Sequence, residues 1–144
     1  MVAERKIKLV GGSVSGVMAA GLNTSIETVN TDVICPSNAS LIGNFNTVSL
    51  KMTGGKFIIP DGATVDQTNI LKSVELNGVQ FVQNDAVRGN NLLGIKTVLK
   101  NCFGSSRLSF NGTTVTDLEI SNSNISAVTT APLLTLLNMT AIVS

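Results

Sequence analysis

The sequence of 144 residues contains no histidine, tryptophan or tyrosine, and its aromatic side chains are five phenylalanines. Histidine titrates near neutral pH and is the commonest protein metal ligand. Its absence therefore excludes histidine-based acid–base catalysis, serine–histidine triads and most zinc sites. The glycine pairs at 11–12 and 54–55 open no phosphate-binding signature. We therefore expect no catalytic, cofactor-binding or metal-binding residues.

Charged side chains are also scarce. They make up 13% of the chain, and the formal net charge is +1. Nucleic-acid binding requires clustered lysine and arginine, whereas this chain has one small basic cluster, at Arg5, Lys6 and Lys8, which is typical of a solvated end. We expect no nucleic-acid partner. So few charges would leave a free monomer prone to self-association, which favours a homo-oligomer.

Long apolar runs and cysteine-rich motifs are missing too. No segment approaches the roughly 18 consecutive apolar residues of a membrane span, so we expect no membrane segment. Residues 1–6 are charged and lack the apolar stretch of a signal peptide. Cys35 and Cys102 are isolated, and we interpret them as small core residues.

Short alternating segments separated by turn residues make up most of the chain. Residues 48–52 place apolar side chains two apart, residues 53–55 form a turn, and residues 57–59 form a second apolar strand before the turn at residues 60–62. The best helical candidate, residues 92–99, contains Gly94 and several β-branched residues, which argues against a helix. The pattern predicts an all-β protein.

An asparagine follows several of these strands at a repeating interval. The residues are Asn77, Asn101, Asn122 and Asn138, at spacings of 24, 21 and 16. A repeat of this length predicts a solenoid, in which stacked amide side chains can bond to one another at a shared corner. Gly54 and Asn30 are candidates for the same corner in earlier coils. The alternative is an antiparallel β-sandwich or jelly roll in which the echoes arise by chance.

The recurring strand, asparagine and second strand resemble the right-handed parallel β-helix of the pectate-lyase and phage-tailspike type, over about residues 48–142. The resemblance implies a single-stranded right-handed parallel β-helix of about six or seven short coils. We expect one β domain, 1–144, with an N-terminal arm at 1–6, irregular first coils at 7–47 and regular coils at 48–144.

The last fourteen residues carry no charge, and a free strand end of this kind would aggregate. We therefore expect this end to be buried against symmetry mates or another protein, and the resemblance to virion fibres and spikes implies a trimer. The predicted contact residues are Leu133, Leu134, Leu136, Leu137, Met139, Ile142 and Val143.

The function predicted from these features is that of a non-enzymatic structural virion protein, made in the host cytoplasm. The most specific form is a phage capsid decoration (cement) protein that stabilises the shell and contacts a major capsid protein. A receptor-binding or glycan-binding tailspike or fibre module is the alternative. A lesser alternative is a small β-helix polysaccharide lyase or hydrolase using Asp61 and Asp85, although enzymes of that type present aromatic platforms that this chain lacks.

Overall fold

The structure, a computed structural model, describes residues 4–16, 23–39, 41–42, 47–62, 69–84, 92–111, 117–128, 134–137 and 142–143. This described part contains fifteen strands and no helix. In chain order the strands are β1 (Arg5–Val10), β2 (Ser13–Ser15), β3 (Thr24–Val29), β4 (Asp32–Ile34), β5 (Ser49–Thr53), β6 (Lys56–Ile59), β7 (Asn69–Asn77), β8 (Gln80–Gln83), β9 (Leu92–Lys100), β10 (Phe103–Ser105), β11 (Leu108–Asn111), β12 (Asp117–Ser121), β13 (Asn124–Ser126), β14 (Leu134–Leu137) and β15 (Ile142–Val143).

The strands stack into two long sheets and one short pair. The first sheet has the order β1-β3-β5-β7-β9-β12-β15, the second has the order β13-β10-β8-β6-β4-β2, and β11 pairs with β14. Every pairing among these strands is parallel. The predicted all-β parallel solenoid is therefore confirmed, and the antiparallel sandwich is wrong.

The coils differ slightly in number from the prediction. The parallel strands form a solenoid of about four turns, and this count differs slightly from the six or seven coils predicted. The first coil, β1 and β2, lies at an open end and its side chains are largely exposed. β1 begins at Arg5, and β1 and β2 pair in register with β3 and β4, while the predicted division of the chain into an arm, irregular coils and regular coils stays a prediction. The right-handed sense stays a prediction, in line with the general preference for right-handed parallel crossovers.

The core lies between the two long sheets because alternate side chains of each strand point inward. In the first sheet the register stacks Ile26 on Leu50 and Leu50 on Val74, each at most 4% exposed. In the second sheet Phe57 and Phe81 stack edge-to-face, with ring centroids 6.0 Å apart. Burying each of these side chains contributes roughly 1.5–3 kcal/mol, so the repeated register is also the main source of stability.

The alternation breaks once, at the same level of β7 and β9. Leu71 and Val74 are buried although two residues separate them, and Gly94 and Thr97 repeat this pattern in the next strand. The Thr97 hydroxyl donates to the Gly94 carbonyl and accepts from the Gly94 N–H, both at 3.0 Å. A Cβ on residue 94 would lie 2.6 Å from the backbone nitrogen of Val74. Glycine at this position therefore lets the two bulged strands approach closely.

Candidate functional site

A two-residue corner joins each strand of the first sheet to the next strand of the second sheet. The first corner residue has a positive φ, between 48° and 70°, in all six described corners. The residues are Gly11, Asn30, Gly54, Gly78, Asn101 and Asn122. Only glycine and, at some cost, asparagine visit this left-handed region routinely. Gly54 and Asn30 thus occupy the corner suggested by the sequence.

Three of the four predicted asparagines form a hydrogen-bonded row. The Asn101 Nδ2 donates to the Asn77 Oδ1 at 2.9 Å, and the Asn122 Nδ2 donates to the Asn101 Oδ1. Asn101 and Asn122 are equivalent corner residues, whereas Asn77 pairs with Lys100 and lies one residue before the corner. The predicted equivalence of Asn77 is therefore corrected, because Gly78 takes its corner position. Asn138 lies outside the described residues.

A shallow groove of about 490 Å³ crosses the outer face of the first sheet at its N-terminal end. Ser25, Ser49 and Ser73 stand in register along it. Beside this serine row, the outward residues on successive strands alternate in sign. This charged column consists of Lys8, Glu27, Lys51 and Glu75.

The charged column and the serine row give the groove donors and acceptors at each strand level. Neighbouring strands lie about 4.8 Å apart, so opposite charges on adjacent strands attract. At the open end, the Ser25 hydroxyl donates to the Glu4 carboxylate at 2.7 Å. These side chains present hydrogen-bonding groups and balanced charge to solvent, and Ile7, Ile26 and Leu50 also line the groove.

Among the described residues, the first coil (β1 and β2) leaves one edge of each long sheet uncovered. β1 ends the first sheet and β2 ends the second, and no described strand pairs with their outer edges. Ile7 has the inward register but is 42% exposed, and the outward Val10 is 70% exposed. Because Ile7 has the inward register, its exposure means that no described residue covers the interior of the solenoid at this end.

Along β1, the backbone N–H and carbonyl groups of successive residues point alternately to the neighbouring strand β3 and to the uncovered side. The N–H of Arg5 donates to the Asn23 carbonyl at 2.9 Å, and that of Gly11 donates to the Val29 carbonyl at 2.8 Å. In a parallel ladder, alternate residues bond to one neighbour. The N–H and carbonyl groups of Lys6, Lys8 and Val10 therefore point to the uncovered side.

The carboxylates predicted for the lesser, enzymatic alternative are not brought together within the described residues. Asp61 is exposed in the turn after β6, and Asp85 lies outside them. Glu75 and Glu119 are exposed on the outer face of the first sheet, with Val98 between them in the register. Over the described ranges, no three acidic, cysteine or histidine side chains cluster as metal ligands would. The same ranges hold no helix able to cross a membrane.

Both cysteines are buried free thiols. Burial raises the pKa of the Cys35 thiol far above its usual range. Burial also raises the pKa of Cys102, and backbone hydrogen bonds partly oppose this effect. A protonated, buried thiol is a poor nucleophile, so neither cysteine offers reactive chemistry in the folded chain.

The predicted C-terminal contact residues are described only in part. Leu134, Leu136 and Leu137 lie on β14, which runs parallel to β11, and β15 (Ile142–Val143) runs parallel to β12. Leu133 and Met139 lie outside the described residues. The partner surface at this end stays a prediction.

The sequence reasoning anticipated unpaired backbone at the ends of an open β-helix, with Glu4, Arg5 and Lys6 as a charged protection of the N-terminal end, but it missed the groove. The signal for the groove was present, because Glu27, Lys51 and Glu75 are 24 residues apart and alternate in sign. The interval matches that between Asn77 and Asn101, so a search for charges at the repeat spacing would have found the column.

Comparison of the chain with protein-family models, with curated proteins and with solved structures found no match. Of the resemblance to the pectate-lyase and tailspike type, the parallel β-solenoid itself is what the structure supports. Arguments about function therefore depend on the corner, the groove and the open first coil.

Proposed function

We propose that this chain is a non-enzymatic structural protein of a virion, and that it acts as a phage capsid decoration protein that binds the shell as a homotrimer. The observation that supports this proposal best is the open first coil, with two uncovered strand edges beside partly exposed apolar side chains. Edge strands readily pair with other chains, and an apolar interior gains free energy when it is covered. An assembly contact at this end satisfies both requirements.

The surface chemistry agrees with an assembly role. Part of the outer face of the first sheet consists of the serine row and the charged column, whose signs balance. Formal net charge is only +1, so electrostatic repulsion between copies is weak. The C-terminal residues named above complete the proposal as the contact between subunits.

Two measurements test this proposal. Native mass spectrometry of the purified chain should give a trimer, and a monomer at micromolar concentration would overturn the homotrimer. Cryo-electron microscopy of virions from the phage that encodes the chain should show copies spread over the capsid surface. Copies confined to the tail, or no copies on the particle, would overturn the decoration role.

A glycan-binding fibre or tailspike module is the second candidate, and the groove of the first sheet favours it. The serine row and the charged column offer hydroxyl, amine and carboxylate groups to a polar ligand. If this role is correct, the chain should bind specific glycans on an array, and Ser49→Leu should abolish binding by making the floor apolar and bulkier. Ser126→Leu, at an exposed position of the second sheet, is the matched control. Equal binding by both variants would reject the groove.

A further inference from the structure

We infer that the uncovered edge of β1 binds an extended acidic strand from a partner protein, which adds to the first sheet as a further strand. This inference rests on the proposed assembly role of the first coil and specifies the chemistry of what the coil binds. Three features of β1 support it: the direction of its backbone groups, the exposure of its inward side chains, and the charge of its outward side chains.

The backbone of β1 is a ready template for a further strand. The N–H groups of Arg5 and Gly11 donate toward β3. The backbone N–H and carbonyl groups of Lys6, Lys8 and Val10 therefore point to the uncovered side. A peptide that adds to such an edge gains a row of main-chain hydrogen bonds, and its alternating side chains determine specificity.

The inward positions of β1 require apolar partners. Ile7 stacks on the buried Ile26 and Leu9 stacks on Thr28 in the register, yet Ile7 is 42% exposed. A strand placed outside β1 would cover them with its own inward side chains. Apolar residues at alternate positions of that strand would extend the core by one level.

The outward positions require acidic partners. The charged column alternates in sign from Glu75 through Lys51 and Glu27 to Lys8. On an added strand, an acidic residue opposite Lys8 would continue the alternation of charge. A second acidic residue opposite Lys6 would pair with that lysine. Opposite charges on neighbouring strands attract, and like charges repel.

The same charges disfavour a second copy of β1 as the occupant. Two β1 strands paired antiparallel around Ile7 would place Lys6 of each copy opposite Lys8 of the other. Lysine on an edge strand is a common way to prevent such self-pairing. The lysines of β1 therefore favour an acidic partner over another copy of this chain.

A peptide titration of the full chain, followed by amide NMR, tests the inference. The probe is a capped hexapeptide with threonine at both ends and glutamate and valine alternating between them. The control peptide has lysine in place of glutamate. The glutamate peptide should shift the amide resonances of Lys6, Lys8 and Val10 saturably, and the lysine peptide should bind on the order of tenfold more weakly.

Two variants separate charge from backbone pairing. Lys8→Glu should reverse the preference between the two peptides, whereas Lys56→Glu, at an exposed position of the second sheet, should leave it unchanged. Val10→Pro removes a backbone N–H that points to the uncovered side of β1, without changing the charge. It should therefore weaken binding of the glutamate peptide. β1 does not use that N–H to bond β3, so the strand itself should persist.

Several outcomes would overturn the inference. These are equal binding of both peptides, shifts confined to residues outside β1, and no shift at millimolar peptide. A dimer in light scattering that Val10→Pro dissociates would identify a second copy as the occupant instead. If virions carry the chain but the peptide does not bind, the inference fails and the decoration role stands. If the peptide binds but virions do not carry the chain, the strand-binding inference stands and the decoration role fails.

Discussion

Three interior threonines show how differently one residue type is accommodated inside the solenoid. The Thr97 hydroxyl bonds to both backbone groups of Gly94, and the Thr31 hydroxyl lies 3.1–3.3 Å from three carbonyl oxygens. The Thr28 hydroxyl is fully buried and has no hydrogen-bond partner among the described residues. A buried hydroxyl without a partner loses its bonds to water and gains nothing in return. Thr28 is therefore a weak point of the core.

Replacing Thr28 by valine should stabilise the chain. Thr28→Val keeps the branched shape and removes an unsatisfied hydroxyl, so the free energy of unfolding should rise by about 1 kcal/mol. Thr97→Val is the matched control and should lower it by about 1–2 kcal/mol, because it removes the hydroxyl that bonds Gly94. Urea unfolding followed by circular dichroism measures both. A loss of stability in Thr28→Val would contradict this explanation.

The buried thiol of Cys35 should make stability depend on alkaline pH. Because burial raises the pKa of Cys35 in the folded chain, the unfolded chain releases this proton first as pH rises. The free energy of unfolding should therefore be unaffected below pH about 8 and should fall above it, by up to about 1.4 kcal/mol per pH unit from this group. Urea unfolding of reduced protein between pH about 8 and 10 should show a steeper fall than in Cys35→Ala. Identical slopes would contradict the prediction.

At the scale of the element, the corner shows what the sequence could predict and what it could not. The repeated asparagine indicated a stacked corner, and Asn101 and Asn122 lie there. Asn77 does not, since the physical requirement is a left-handed backbone, which Gly78 meets as well as asparagine does. Reading glycine and asparagine as one class gives six described corners that lie 19 to 24 residues apart.

The corner glycines should differ in their tolerance of a side chain. A Cβ on Gly55 would lie 2.2 Å from the Thr31 carbonyl oxygen, whereas a Cβ on Gly12 meets nothing within 4 Å. Both have positive φ. Gly12→Ala should therefore lower the free energy of unfolding by about 1–2 kcal/mol from backbone strain alone, and Gly55→Ala should lower it further. Thermal unfolding of the two variants tests this, and equal losses would argue against the close approach.

Strand prediction succeeded where alternation was regular and failed where it broke. β5 and β6 follow the predicted apolar positions because Leu50, Met52 and Phe57 all point inward. The bulge in β7 and β9 was not predicted. Within one strand, two consecutive outward residues such as Lys72 and Ser73 interrupt the alternation and resemble a loop. Its cause is visible only between strands, where Gly94 lies against the backbone of Val74.

At the scale of the whole molecule, each coil contacts mainly the coils before and after it. In such a stack, stability is approximately a sum over coils and their interfaces, and the ends are held by one neighbour only. Among the described strands, the first coil pairs with one neighbouring coil, and its side chains are largely exposed. It should therefore open more readily than the middle coils.

Hydrogen exchange should reveal this gradient. Amides of Lys6 and Lys8 should exchange fastest because they point to the uncovered side. The bonded amides of β1 should exchange at intermediate rates, and those of β5 and β7 most slowly. Exchange followed by NMR at neutral pH measures the order. Uniform protection from β1 to β7 would mean that the stack opens as a single cooperative unit.

The candidate sites are harder to predict than the fold because they belong to several coils at once. A strand is encoded by five or six consecutive residues, but the groove needs Ser25, Ser49 and Ser73 at one level of the sheet. The uncovered edge depends on what is not beside β1, which the sequence of β1 does not encode. Only knowledge of the register makes these surfaces visible.

The charged column has a consequence for how a chain of this type can change length. Removing only the coil that contains β3 would bring Lys8 beside Lys51. Removing only the coil that contains β5 would instead bring Glu27 beside Glu75. Removing two adjacent coils keeps lysine next to glutamate. Deletion of whole coils from this part of the solenoid therefore keeps opposite charges on neighbouring strands only when an even number of coils is removed.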